Sequence, residues 1–211
     1  MKRIYILYLV LAVLLTGLNS CDEGFEEVNT NPVAATSLDP VYLLNTAVFA
    51  SAMNTVSYHF PIVQQIVSPF TGVIEGGNHN VVYDPNARAT FNDMYAATDG
   101  PVALLTAVID QTKDDPARSN LYHMARIWKA YVFQVLVDTY GDVPYTEAGQ
   151  GYLNAIYQPK YDDQELIYAD LLKELQEATA ALDPSKTVET GDLIYKGNIE
   201  KWKKLGNSIL L

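Results

Sequence analysis

The stretch from Leu121 to Pro144 reads LYHMARIWKAYVFQVLVDTYGDVP, and its periodicity decides the fold class. Leu121, Ala125, Trp128, Val132, Val135, Leu136 and Thr139 recur at helical spacing and form one apolar face over more than five turns. Asp114-Asp115-Pro116 precedes the pattern, a turn followed by a residue tolerated only at a helix start. Gly141 stands where the pattern stops, a natural C′ residue, and Pro144 lies just beyond it. The reading is a long helix with a sharp chain reversal at its end.

Working outward, the same signals recur. Asp39-Pro40 offers an N-cap and a proline at the first helical position. Val41, Leu44, Val48, Ala52 and Thr55 then repeat at helical spacing, widened by Leu43 and Ala47. Pro61 and Pro69 bracket a shorter apolar piece, IVQQIVS, read as a second helix, and residues 71–86 are read as a long loop broken by Gly76-Gly77. Helix resumes at Ala87, is interrupted at Asp99-Gly100-Pro101, and continues from Val102 to Lys113. On the other side, Asp162 and Glu165 have the spacing of a capping box. Leu166, Leu171 or Leu172, Leu175, Ala178 and Leu182 supply the stripe of the helix that follows, which Asp183-Pro184 ends. Asn198 caps a last helix holding Trp202, Leu205, Ile209 and Leu210. No strand pattern survives, so the expected fold is all-α, built from antiparallel helix pairs. Trp202-Lys203-Lys204-Leu205-Gly206 matches the W-x₂-L-G opening of a tetratricopeptide repeat, although no clean 34-residue period accompanies it. The pattern is cut off at Leu211, and the chain is read as truncated there.

The N-terminus has a different character. Lys2 and Arg3 precede IYILYLVLAVLLTGL, uncharged from Ile4 to Leu18, which is the layout of a secretory signal and short for a spanning helix. Cys21 follows, the single cysteine of the chain, and then Asp22, Glu23, Glu26 and Glu27. One thiol cannot close an intramolecular disulfide, and an odd cysteine in an exported protein needs another explanation. Leu18-Asn19-Ser20-Cys21 resembles a bacterial lipobox. The expectation is a lipoprotein signal peptide over 1–20, a lipidated tether over 21–38 and one helical domain over 39–211, held to a membrane by acyl chains on Cys21.

Composition excludes several functions. The chain has 25 acidic and 14 basic residues, and losing Lys2 and Arg3 with the signal deepens its net charge of −11. That balance argues against nucleic acid, whose binding rests on phosphate neutralisation by Lys and Arg. His59, His79 and His123 lack metal-ligand spacing, and no phosphate loop, dinucleotide fingerprint or nucleophile elbow occurs. Asp138, Asp142 and Glu147 lie near one another, as a glycosidase pair requires. They are read instead as a helix end and a solvated turn. No catalytic residue, metal ligand or cofactor is assigned. What the composition does offer is tyrosine, 15 in all. Tyr140, Tyr145, Tyr152, Tyr157 and Tyr161 crowd residues 140–161, interleaved with Gln150, Asn154 and Gln158. Flat rings suit the C–H faces of a sugar and amides suit its hydroxyl edges. Tyr152, Tyr157 and Asn154 are therefore the leading candidate ligand residues, with the alternative that the tyrosines staple a loop onto the helices. Tyr83, Asn78 and His79 form a second candidate patch, where His79 also reads as a plain exposed loop residue.

The run Val137-Asp138-Thr139-Tyr140-Gly141-Asp142-Val143-Pro144-Tyr145-Thr146-Glu147-Ala148 resembles a hallmark of the SusD/RagB family. Asn29-Thr30-Asn31-Pro32, Pro159-Lys160-Tyr161-Asp162, Asp192-Leu193-Ile194-Tyr195-Lys196-Gly197, Lys201-Trp202 and Asn207-Ser208 are similar to family segments in the same order. The resemblance covers residues 21–211 and corresponds to the N-terminal half of a family member. It implies a tetratricopeptide-like helical scaffold on an outer-membrane, surface-exposed lipoprotein. It further implies capture of oligosaccharides or peptides and delivery to a SusC-like TonB-dependent transporter, without catalysis. Two other readings remain at this point, a helical-repeat adaptor that binds only protein and a carbohydrate-active enzyme.

Overall fold

The computed structural model describes residues 38–54 and 85–211. The signal, Cys21, the tether to Ser37, the helix expected between Pro61 and Pro69 and most of the long loop after it lie outside the described residues. The described residues belong to one compact unit.

The helices begin and end where local chemistry says they should. Helix α1, Pro40–Asn54, opens with Asp39 Oδ1 accepting from Val41 N at 3.0 Å. Helix α2 is Pro85–Met94, two residues earlier than expected, and α3 is Pro101–Thr112 with proline at its first turn. A 3₁₀ turn, Pro116–Arg118, is capped by Asp115 and leads into α4, Ser119–Tyr140, which stops at Gly141 with φ 76°. A four-residue helix α5, Gly151–Asn154, lies in the tyrosine-rich segment, followed by α6, Gln164–Ala181, and α7, Ile199–Ile209. Asn198 caps α7 by accepting from Lys201 N. Among the described residues, the one departure from an all-helical reading is a pair of two-residue strands. Strand β1, Val143–Pro144, pairs antiparallel with β2, Tyr161–Asp162.

The capping box expected for α6 does not form. Asp163 is the N-cap residue and its side chain makes no capping bond. Asp142 Oδ1 accepts from Gln164 N at 2.9 Å instead, so a carboxylate from the chain reversal caps the helix from outside. Asp162 is thereby released for another role at the corner described below.

Helix α4 is the centre of the molecule. It packs against α3 on one side and α6 on the other, while α1 packs on α3 and α7 on α6. These antiparallel helix pairs make the tetratricopeptide-like scaffold. The stripe read from the sequence is buried at Leu121, Ala125, Val132 and Leu136, but so are Met124, Ile127, Ala130 and Phe133. A helix with neighbours on both sides buries two faces, and a single-stripe reading finds only one. In α6 and its C-cap the buried stripe is Ile167, Leu171, Leu175, Ala178 and Leu182, whereas Leu166 and Leu172 are exposed. The adjacent Leu pair made that register ambiguous.

The W-x₂-L-G motif acquires a physical meaning in α7. Trp202 is fully buried, stacked edge-on to Trp128 and Tyr195. Its indole Nε1 donates to Asp192 Oδ2 at 2.8 Å. Asp192, itself buried, also accepts from the backbone N–H groups of Ile194, Tyr195 and Gly197. One carboxylate thus ties the loop before α7 to the helix core. Gly206 faces Thr179 of α6 so closely that a Cβ there would lie 2.0 Å from Thr179 Oγ1. Only glycine permits that approach. Further ties hold the same loop. Arg118 bridges Asp39 and Glu189, and Asn45 of α1 brackets Gly191 and Leu193 by hydrogen bonds.

Candidate ligand-binding surfaces

The reversal after α4 is a hydrogen-bonded corner. Asp162 accepts from Tyr145 N at 3.0 Å and Thr146 N at 2.8 Å, and from the Thr146 hydroxyl. Burial opposes ionisation there, but these donors hold its carboxyl below the ordinary range. Glu147 Oε2 accepts from Lys160 N, closing the far end of the segment. Asp142 caps α6, and Asp138 accepts from the Tyr168 hydroxyl. The three carboxylates stand at a helix end and a solvated turn, as expected from the sequence, and each accepts a hydrogen bond there.

This corner sets the tyrosine loop. Ala148 is buried, and Gly149, at φ 71°, seats its backbone on α3, where a Cβ would meet Val102 O and Thr106 Oγ1 at 2.8 Å. The loop is pinned there, and Gln150 Nε2 donates to Thr146 O. Between the pins Leu153 and Ile156 are half-buried and the tyrosines face water. Tyr152 is 98% exposed and Tyr157 79% exposed, and among the described residues no hydrogen bond or ring contact engages either one. The Tyr157 ring lies beside Gly151, 3.5 Å from where a Cβ would sit. Asn154 Nδ2 donates to Gln150 Oε1 at 2.9 Å, which orients its amide one turn away from Gln150.

The remaining tyrosines of the segment divide cleanly. Tyr140 accepts from Phe91 N, stacks edge-on to Phe91, and fastens α2 to α4. Tyr145 stacks edge-on to buried Phe133 with 4.7 Å between centroids and donates to Asp170 Oδ2 at 2.6 Å. Burial and the Asp170 carboxylate push its phenol well above the usual tyrosine range. Tyr161 is exposed on β2. Of the second patch, Tyr83, Asn78 and His79 all lie outside the described residues, as does His59. His123 is half-buried on α4, where burial, Arg126 and Lys186 depress its pKa to about 4. Among the described residues no cluster of His, Cys, Asp and Glu has the makings of a metal site.

Sequence reasoning missed a cavity of about 370 Å³ between α4 and α6, floored by Ile109, Ala130 and Leu171 and walled by Tyr122 and Tyr145. Arg126 forms a bidentate pair with Glu174, with both bonds at 2.8 Å, and also reaches Glu177. Its guanidinium lies over the Tyr122 ring. Lys129 stands beside them with its ammonium 5.7 Å from the centroid of the Phe133 ring, and it makes no hydrogen bond or close ion pair with a described residue. Burial lowers its pKa, against the pull of Glu174 and Asp170. The signal available in the sequence was a lysine set between Trp128 and Ala130 in an otherwise apolar stretch, facing carboxylates four residues apart at 170 and 174.

Residues 32–211 match the profile of a family described as starch-binding and associating with the outer membrane. The chain belongs to the SusD-like family. Solved SusD-like relatives share the fold. A SusD-like protein of Bacteroidetes AC2a is 30% identical, with a TM-score of 0.65 over 82% of this chain and 32% of its own. A chitin-binding protein is 32% identical, with a TM-score of 0.67 over 81% of this chain and 37% of its own. An outer membrane protein of Bacteroides vulgatus ATCC 8482 is 26% identical, with a TM-score of 0.50 over 81% of this chain and 34% of its own. This SusD-like chain therefore spans about a third of the length of the solved relatives it matches. No curated protein matches it.

Proposed function

We propose that this protein is an outer-membrane lipoprotein, anchored through Cys21, that captures oligosaccharides or peptides. It hands them unaltered to a partner TonB-dependent transporter. The observation that carries the reading is the tyrosine loop. Tyr152 and Tyr157 project into solvent from a segment pinned at Gly149 and at the Asp162 clasp. An exposed aromatic ring on a fixed backbone loses little entropy on stacking against a sugar face. Membership of a family described as starch-binding, and the likeness to a chitin-binding protein, support a glycan over a peptide. The carboxylates nearest the loop are all engaged in structural bonds, which favours binding without turnover.

A protein-only adaptor is the second reading. It draws support from exposed Tyr42 and Phe49 on α1 and Leu166 and Leu172 on α6, apolar side chains of the kind that line helix-repeat contacts. Calorimetric titration of the full-length protein with malto-oligosaccharides, chito-oligosaccharides and peptides separates the two. The combined Tyr152→Ala and Tyr157→Ala variant should bind its glycan on the order of tenfold or more weakly, since anchoring rings commonly contribute more than about 1 kcal/mol. Unchanged affinity in that variant would move the site elsewhere, and the absence of any glycan binding would favour the adaptor.

A further inference from the structure

We propose that the cavity between α4 and α6 is a separate subsite for one neutral, hydroxyl-rich ring, with Lys129 and Asp170 bracketing its hydroxyls. The inference rests on the reading that this protein handles glycans, and it adds a site apart from Tyr152 and Tyr157.

The argument is an account of unspent hydrogen-bonding capacity. Glu174 gives both carboxylate oxygens to Arg126. Asp170 gives Oδ2 to the Tyr145 hydroxyl, and its Oδ1 accepts from no described residue. Lys129 has three donors and spends none on a hydrogen bond to a described residue. The cavity therefore presents free donors from one helix and a free acceptor from the other. A hydroxyl group can accept from the first and donate to the second. Lys129 is partly buried and its ammonium is open to water, so a ligand hydroxyl there would take the place of solvent.

Charge selects the class of ligand. Arg126 and Lys129 are balanced by Asp170 and Glu174, so the walls sum to zero. An anion would satisfy Lys129 but meet two carboxylates, and a cation would face Lys129 and Arg126. A neutral polyol meets no like charge. The volume of about 370 Å³ falls in the range of small-ligand sites and suits a single ring. Ile109, Leu171 and the tyrosine walls offer apolar surface to its C–H face.

The test uses full-length protein with D-glucose and N-acetyl-D-glucosamine as probes and citrate as an anionic control. Affinity is measured by calorimetry for wild type, Lys129→Met, Asp170→Asn and the Tyr152→Ala, Tyr157→Ala pair. Occupancy at the site is read by trace acetylation and mass spectrometry, with exposed Lys113 as the internal reference. Either monosaccharide should protect Lys129 but not Lys113. Affinity should fall about tenfold or more in Lys129→Met and in Asp170→Asn and stay unchanged in the tyrosine pair. Asp170→Asn keeps an oxygen for the Tyr145 hydroxyl, so the corner survives in that variant. Monosaccharide affinity indifferent to both cavity variants, no protection of Lys129, or protection by citrate alone would overturn the subsite. Oligosaccharide binding that depends on Tyr152 and Tyr157 would then still stand. If no saccharide of any length binds, both readings fall.

Discussion

Replacing Asp192 with alanine should unfasten the loop before α7. In the native protein its carboxylate accepts from Trp202 Nε1 at 2.8 Å, Gly197 N at 3.0 Å, Ile194 N at 2.9 Å and Tyr195 N at 3.2 Å. Ile194 and Tyr195 are half-buried, so water can replace part of those two bonds. Gly197 and Trp202 are buried, and their donors would be orphaned. An unsatisfied buried donor costs ~1–3 kcal/mol, and hydrogen bonds to a charged group contribute ~1.5–3 kcal/mol each. With partial relaxation the expected loss is about 3–5 kcal/mol. For a chain of this size each kcal/mol lowers Tm by ~2–4 °C, so Asp192→Ala should melt roughly 6–20 °C below wild type. Circular dichroism at 222 nm follows the transition. Asp192→Asn should fall between the two, because its amide oxygen still accepts while its NH₂ confronts a donor. An alanine variant that melts within about 2 °C of wild type would refute the claim that this carboxylate ties α7 to the core.

Gly206→Ala should destabilise by ~1–3 kcal/mol in urea titration, since the added methyl collides with Thr179 Oγ1. In a Thr179→Ala background the same change should cost much less or turn stabilising, and equal costs in both backgrounds would sink the packing argument. His123 has a folded pKa of about 4 against an ordinary value of 6.5, so the unfolded chain binds its proton first as pH falls. Its contribution to stability is complete above pH 6.5 and is lost progressively down to about pH 4. His123→Phe should flatten the fall in Tm across that window, and an unchanged slope would place the titration elsewhere. Cys21→Ser should abolish incorporation of radioactive palmitate in cells, whereas equal labelling of mutant and wild type would remove the anchor.

What the sequence made legible was chiefly what neighbouring residues decide. Asp39, Gly141 and Asn198 announce helix ends through their own side chains or their own φ, and the structure has ends at each of them. The α6 cap was illegible because its acceptor, Asp142, lies 22 residues earlier in the chain. The burial of Ser51 was illegible for the same reason, since its hydroxyl accepts from Trp128 Nε1 across 77 residues. Helix α4 was found at once, but its second buried face depends on having α3 and α6 on opposite sides, and no single window carries that information. The tyrosine loop stood out by composition alone. The cavity did not, because Lys129 and Asp170 become neighbours only when α4 packs on α6, and each reads locally as an ordinary surface charge.

Incubating the purified full-length protein with a panel of malto- and chito-oligosaccharides, then analysing both affinity and products, tests the central claim most directly. Native electrophoresis through gels containing each polysaccharide should show retarded migration for at least one of them. Mass spectrometry of the incubated oligosaccharides should return each at its starting length. Unretarded migration in every gel, or the appearance of shortened chains with new reducing ends, would contradict the account.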